Sequence, residues 1–172
     1  MIIYYREVDS PLGRLSLGQH PEGLCLLTLG EGARETFIFA IEKMYPEAHL
    51  KESASALEET IDQLLEYFNG QRSIFEIKLF LKGTEFQRQV WSALKKIPYG
   101  KTISYGDLAK RLNKPGAMRA VGAANGQNPI PIIIPCHRVI AADGSLGGYT
   151  GGLEIKRKLL DLEQQQFTPT LF

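Results

Sequence analysis

The chain is short of cysteine. Its 172 residues hold two, Cys25 and Cys136. That is too few for a disulfide framework, and no CxxC pair suggests zinc. Long apolar runs are missing too. No stretch of about 18 apolar residues occurs, which argues against a membrane-spanning helix. The opening "MIIYYREVDS" lacks the basic segment, apolar core and cleavage site of a signal peptide. A reducing, cytoplasmic setting with both thiols free is expected.

What is present is a core and a hidden charge asymmetry. Hydrophobic residues make up 44% of the chain, enough for one or two small domains. The net charge is only +1. Divided near Lys82, however, residues 1–81 carry 7 Lys+Arg and 13 Asp+Glu, net −6. Residues 82–172 carry 13 and 6, net +7. A basic half suits a polyanionic partner. Small basic domains without one are equally ordinary, so charge alone does not choose.

Residues 2–29 read as a strand meander, "IIYYREV", "GRLSLGQ" and "GLCLLTL", separated by the turn segments "DSPL" and "HPE". Cys25 sits among leucines there and reads as a packing residue. "ARETFIFAIEKMYP" and "ALEETIDQLLEYFNG" read as helices, the second with Leu57, Ile61, Leu64, Leu65 and Phe68 as its apolar stripe and Gly70 as its stop. "FEIKLFLKG" reads as an extended connector. The fold class is α/β in the α+β sense. A small N-terminal antiparallel sheet with helices spans 1–81, and a mainly helical domain spans 82–172.

The second half opens on a capping box, Thr84 with Gln87, ahead of Phe86, Val90, Trp91 and Leu94 at helical spacing. Ser104 and Asp107 suit the cap of a short helix over Leu108 and Leu112. After the turn "NKPG", a second helix runs from about Ala117 to Asn125. Two short helices joined by a tight turn form a helix-turn-helix pattern. Its second helix is rich in Ala and Gly, with Arg119 near the start as its one charge. In DNA-binding versions that helix enters a groove N-terminus first. The same hairpin also occurs as a plain packing unit.

"IIIPCHRV" then sets a thiol, an imidazole and a guanidinium in a row after three isoleucines. The isoleucine run reads as a buried extended segment that delivers Cys136 to the edge of a core, with Pro135 fixing the chain. A free thiol is a poor nucleophile near neutrality, and His137 and Arg138 are the local groups able to favour a thiolate. Successive side chains of a strand face opposite ways, so Cys136 meets His137 only if the chain turns, or through a water. In the last helix, over "LEIKRKLLDLEQQQ", Lys156, Leu159, Leu160 and Glu163 share one side. An inward Glu163 needs a partner, and a histidine to be oriented is a natural one, giving Cys–His–Glu by roles. Taken singly, each has a plainer reading: a buried thiol, a satisfied core histidine, a solvated carboxylate. The trio would also serve a cysteine hydrolase, but no oxyanion-hole signal accompanies it.

"PCHRV", preceded by "RAVGAANGQNPIPI" and followed by "GYTGGLEIKRKLL", resembles the O6-alkylguanine-DNA alkyltransferase family. The likeness covers almost all of residues 84–165. The N-terminal half shares only the order of strands and helices. The resemblance implies direct DNA repair. The helix-turn-helix binds duplex DNA in the minor groove, the damaged guanine flips into a pocket, and a thiolate takes its alkyl group once, irreversibly and without a cofactor. Carried over, Cys136 is the acceptor, His137 the water-linked base, Glu163 its orienter, Asn128 a brace, and Tyr105 the group that helps rotate the nucleotide and donates to the leaving base. Val139, Tyr149 and Thr150 match pocket walls and lid. Arg119 matches the finger that fills the gap, and Gln87, Gly106, Lys114 and Ala142 match backbone contacts. O4-alkylthymine is a second implied substrate. Some relatives hold zinc in the N-terminal half. Here Cys25, His20 and His49 are too few for a closed site, so no metal is expected. The expected partner is double-stranded DNA containing alkylated guanine, met by a monomer, with cooperative assembly on DNA left open. A non-catalytic helix-turn-helix regulator or lesion-recognition protein is the alternative.

Overall fold

A computed structural model describes residues 1–167, the side chains as far as residue 165. The chain divides into two compact units, Met1–Lys82 and a second that begins at Gly83.

In the first unit β1 (Ile2–Ser10), β2 (Gly13–His20) and β3 (Gly23–Leu29) form the meander, each hairpin antiparallel. After α1 (Ala33–Met44), the short β4 (His49–Glu52) adds to the far side of β1, so the order is β3-β2-β1-β4. β4 runs parallel to β1, which makes the sheet mixed rather than antiparallel. Its four residues are all exposed, so no apolar alternation marked it as a strand. Phe37, Ile41 and Tyr45 of α1 and its end pack with Ile3, Cys25 and Leu26. Cys25 is fully buried, and its thiol donates to Gly18 O at 3.3 Å.

α2 (Glu58–Phe68) follows a single 3-10 turn over Ser55–Leu57. Its inward face differs from the expected stripe. Leu65 is exposed, while Thr60, Gln63 and Tyr67 are buried beside Leu64 and Phe68. Gln63 turns inward because it fastens the connector: Glu76 N donates to its Oε1 at 2.8 Å and its Nε2 donates to Glu76 O at 3.3 Å. Counting hydrophobic letters misses a polar residue that is buried by its hydrogen bonds.

The second unit starts with α3 (Glu85–Leu94), whose capping box has both arms. Gln87 N donates to Thr84 Oγ1 at 3.1 Å and Thr84 N donates to Gln87 Oε1 at 2.8 Å. α4 (Tyr105–Arg111) is capped by Ser104, which accepts from Asp107 N at 3.0 Å. Asn113, at φ +57°, supplies the left-handed residue that turns the chain toward α5 (Met118–Gly126). Trp91 Nε1 donates to Ala124 O at 2.9 Å and ties α3 to α5. β5 (Ile103–Ser104) pairs in parallel with β6 (Val139–Ile140). That short pairing sets the start of α4 beside the segment that carries Cys136. α6 (Leu153–Phe167) closes the unit, with Lys156, Leu159 and Glu163 buried.

Candidate active site

The isoleucine run is not extended. Pro129, Pro131 and Pro135 remove the N–H donors that a strand ladder would use, and the chain winds through successive turns instead. Ile134 N donates back to Ile130 O at 2.9 Å. Pro135, at φ −81° and ψ 65°, makes an inverse γ-turn closed by Cys136 N to Ile134 O at 2.8 Å. Asn128 holds both ends of the loop: its Nδ2 donates to Ile134 O at 2.7 Å and its Oδ1 accepts from Ile130 N at 3.0 Å. Ile132 stands at φ +74°. For a β-branched residue that conformation costs about 1–3 kcal/mol and persists only where packing over-determines it. Ile132 is fully packed, 1% exposed.

The strained loop ends in a single 3-10 turn, Cys136–Arg138, which sends His137 and Arg138 together to Glu163 and leaves Cys136 facing a cavity. His137 is completely buried, with Nε2 2.7 Å from Glu163 Oε1. Arg138 donates from Nε and Nη2 to the same carboxylate at 3.0 and 2.9 Å, and from Nη1 to Ile97 O at 2.6 Å. Gly100 N adds a longer bond to Glu163 at 3.3 Å. Cys136, 5% exposed, lines a cavity of about 420 Å³ together with Tyr105, Gly122, Asn125, Tyr149 and Thr150.

These placements set the charges. Burial alone would raise the Glu163 carboxyl, but hydrogen bonds from His137 and Arg138 and the Arg138 charge overcome it and hold the group down at about 2. Burial pushes the His137 imidazole below its ordinary range against the pull of Glu163, so the ring is neutral at pH 7. An ionised Glu163 takes the Nε2 proton as a hydrogen bond, which leaves Nδ1 as the basic nitrogen. Nδ1 is buried with no hydrogen-bond partner among the described residues. Burial pushes the Cys136 thiol up to about 11, opposed by Asn128, Lys156 and Tyr149. At pH 7 about one thiol in ten thousand is then ionised, so reaction requires a base.

Arg138 was a sequence candidate for favouring the thiolate, but it is committed to Glu163. The cation that acts on the thiol is Lys156, which sequence reasoning placed only on the inward stripe. Its ammonium is fully buried and donates to Val139 O at 2.7 Å, Gly148 O at 3.1 Å and Leu146 O. It thereby clips α6 to β6 and to the loop before Tyr149. Burial brings Lys156 down to about 8. A lysine among Leu159 and Glu163 on one helical face was the available signal. Asn125, also missed, points Nδ2 toward Cys136 O at a long 3.5 Å.

Of the remaining sequence candidates, Tyr105 opens α4 and lines the cavity. Its hydroxyl is raised by burial and by Cys136, and is eased by the Gly148 N–H. Gly147, in the loop before Tyr149 and at φ +69°, would place a Cβ 3.0 Å from that hydroxyl, so a side chain there meets both backbone strain and a crowded ring. The buried Tyr149 hydroxyl faces the thiol, and burial raises it well above its ordinary value. Thr150 Oγ1 donates to Gly126 O at 2.7 Å and fastens its loop to the end of α5. Val139, expected as a pocket wall, is buried in β6 and contributes its carbonyl to Lys156. Arg119, Lys114 and Ala142 are exposed, while Gly106 and Gln87 are half-buried. Gln87 Nε2 also donates to Gln127 Oε1 at 2.8 Å.

The domain family described as "6-O-methylguanine DNA methyltransferase, DNA binding domain" matches residues 85–165. Its companion, the "ribonuclease-like domain", matches residues 3–81. A methylated-DNA–protein-cysteine methyltransferase of Mycobacterium bovis is 46% identical over 165 residues, covering 96% of this chain and 94% of the relative. One from Methanosarcina acetivorans is 45% identical over 161 residues, covering 94% and 98%. The crystal structure of the Mycobacterium tuberculosis protein in complex with DNA superposes with a TM-score of 0.83 at 45% identity, covering 95% and 94%. The O6-methylguanine-DNA methyltransferase of Pyrococcus kodakaraensis does so at 0.67 and 27%, covering 94% and 98%. The chain therefore belongs to the 6-O-methylguanine DNA methyltransferase family.

Proposed function

We propose that this chain repairs DNA directly, with Cys136 as the acceptor of the alkyl group on O6 of guanine in duplex DNA. One observation carries the reading: a buried thiol lines a base-sized cavity, with a neutral imidazole on an ionised carboxylate behind it, inside a helix-turn-helix unit. The target atom of a stacked base is out of reach, so the nucleotide must rotate out of the helix. Arg119, exposed at the start of α5, fills the space it leaves. Lys114, Gly106, Gln87 and Ala142 meet the sugar-phosphate backbone.

In the pocket, His137 Nδ1 takes the thiol proton through a water. The sulfur attacks the alkyl carbon, the S–C bond forms and the C–O6 bond breaks. The electron pair stays on guanine, and the Tyr105 hydroxyl donates to the base as that charge develops. Lys156 supplies a buried positive charge near the sulfur. Asn128 and the strained Ile132 keep the thiol aimed. No step regenerates the thiol, so each molecule acts once. O4-alkylthymine presents the same alkyl ether to the same sulfur. The protein acts as a cytoplasmic monomer.

A Cys136→Ser variant tests the reading against a purely regulatory one. Cells that rely on the variant are expected to lose resistance to a methylating agent. Full resistance with the serine would favour a regulator or lesion-recognition protein.

A further inference from the structure

α3 shows a basic face that the alkyl-transfer chemistry does not use. Arg88 and Lys96 lie eight residues apart on its outer side and just past its end, about 12 Å at the helical rise. They form one wall of a groove of about 670 Å³, whose other wall carries Arg111 and Lys114 from the end of α4 and the turn after it. All four cations are exposed. The ion pairs of this unit join Lys110 to Asp107, His137 and Arg138 to Glu163, and Lys158 to Glu154. Among the described residues the four groove cations belong to none. Glu85 is the one carboxylate in the lining.

Arg111 has a simpler account, because a cation at the last turn of α4 complements the helix dipole. Arg88 and Lys96 do not sit at that end, and they face Arg111 and Lys114 across open space. Four cations against the single carboxylate of Glu85 leave the groove lining with a net charge of +3, a positive field that draws an anion. The groove contains Lys114, and the unit matches a DNA-binding domain.

We propose that this groove takes the sugar-phosphate backbone of the DNA, extending the protein's footprint away from the flipped base, with Arg88, Lys96 and Arg111 as phosphate contacts. The inference rests on the DNA-repair reading and deepens it. The rival occupant is the acidic first unit of a second copy.

The test is binding of the full chain to a lesion-free duplex across a salt series. Each phosphate contact contributes about 0.9 to the slope of log affinity against log salt. The triple variant Arg88→Ala/Lys96→Ala/Arg111→Ala is expected to flatten the slope by about 3 and to weaken binding at low salt. Arg88→Lys/Arg111→Lys, which keeps the charges, is expected to retain the parental slope. Thermal unfolding of each variant checks that it is folded. Lys114→Ala, expected to flatten the slope by about 1, separates the two ideas. An unchanged slope in the triple variant while Lys114→Ala lowers it would overturn the groove. No salt dependence in the parent itself would instead overturn the DNA reading. A parental slope at a single short site, with lost cooperativity on a long duplex, would assign the groove to a second copy and refute the proposal.

Discussion

Replacing Glu163 by glutamine should unsettle the unit and slow the chemistry together. In the native fold this carboxylate accepts from His137 Nε2 at 2.7 Å, from Arg138 Nε and Nη2 at 3.0 and 2.9 Å, and from Gly100 N at 3.3 Å. The Arg138 side chain is 7% exposed and Glu163 is 1% exposed, so glutamine leaves a guanidinium charge uncompensated in the interior. Breaking a buried pair in this way costs about 3–5 kcal/mol. For a chain of this size that is a fall in melting temperature of roughly 10 °C. The pH dependence adds a second signature. Glu163 sits at about 2 in the fold against an ordinary 4.5. Its contribution is therefore fully present above pH 4.5 and is lost as pH falls toward 2, about 3 kcal/mol at most. Calorimetry between pH 2 and 7 should show that acid loss in the parent and not in Glu163→Gln. A third variant divides structure from chemistry. Arg138→Met/Glu163→Leu replaces the pair by apolar side chains and should recover much of the stability. It leaves His137 without its acceptor, so single-turnover alkyl transfer should stay about 100-fold slow. A Gln variant that melts within 2 °C of the parent and transfers at the parental rate would refute the reasoning.

Two further outcomes follow from the same site. Arg119→Ala should lose repair of duplex DNA far more than reaction with a free O6-alkylguanine base, and equal losses on both would argue against the finger role. Lys156→Met leaves the carbonyls of Val139, Leu146 and Gly148 without their donor and removes the cation near the thiol. It should lower the melting temperature and shift the pH profile of transfer upward, because less now opposes the rise of the thiol. An unmoved pH profile would reduce Lys156 to a structural clip.

Much of the second unit was legible because its signals are local. The Thr84–Gln87 box, the Ser104 cap and the helical spacing of Val90, Trp91 and Leu94 each follow from chemistry within a few residues. Glu163 on an inward stripe also pointed correctly to a buried partner, and His137 is that partner. The shape of the isoleucine run was not legible. Burial alone does not distinguish a strand from a wound loop, and the deciding bonds come from Asn128, a polar residue outside the run. The same blindness hid Gln63, whose burial depends on the connector it clamps. Sequence order made Arg138 look like the thiol's neighbour, whereas the 3-10 turn sent it to Glu163 and left the role to Lys156, 20 residues after Cys136. β4 was silent because an exposed edge strand carries no hydrophobic period.

The central claim is that Cys136 is the acceptor and is consumed. Incubating the full chain with excess methylated duplex DNA and weighing its peptides tests it directly. The expected result is one added methyl mass on the peptide containing Cys136, reaching one per protein molecule and then stopping. No adduct, an adduct on Cys25, or repair continuing past one lesion per molecule would contradict it.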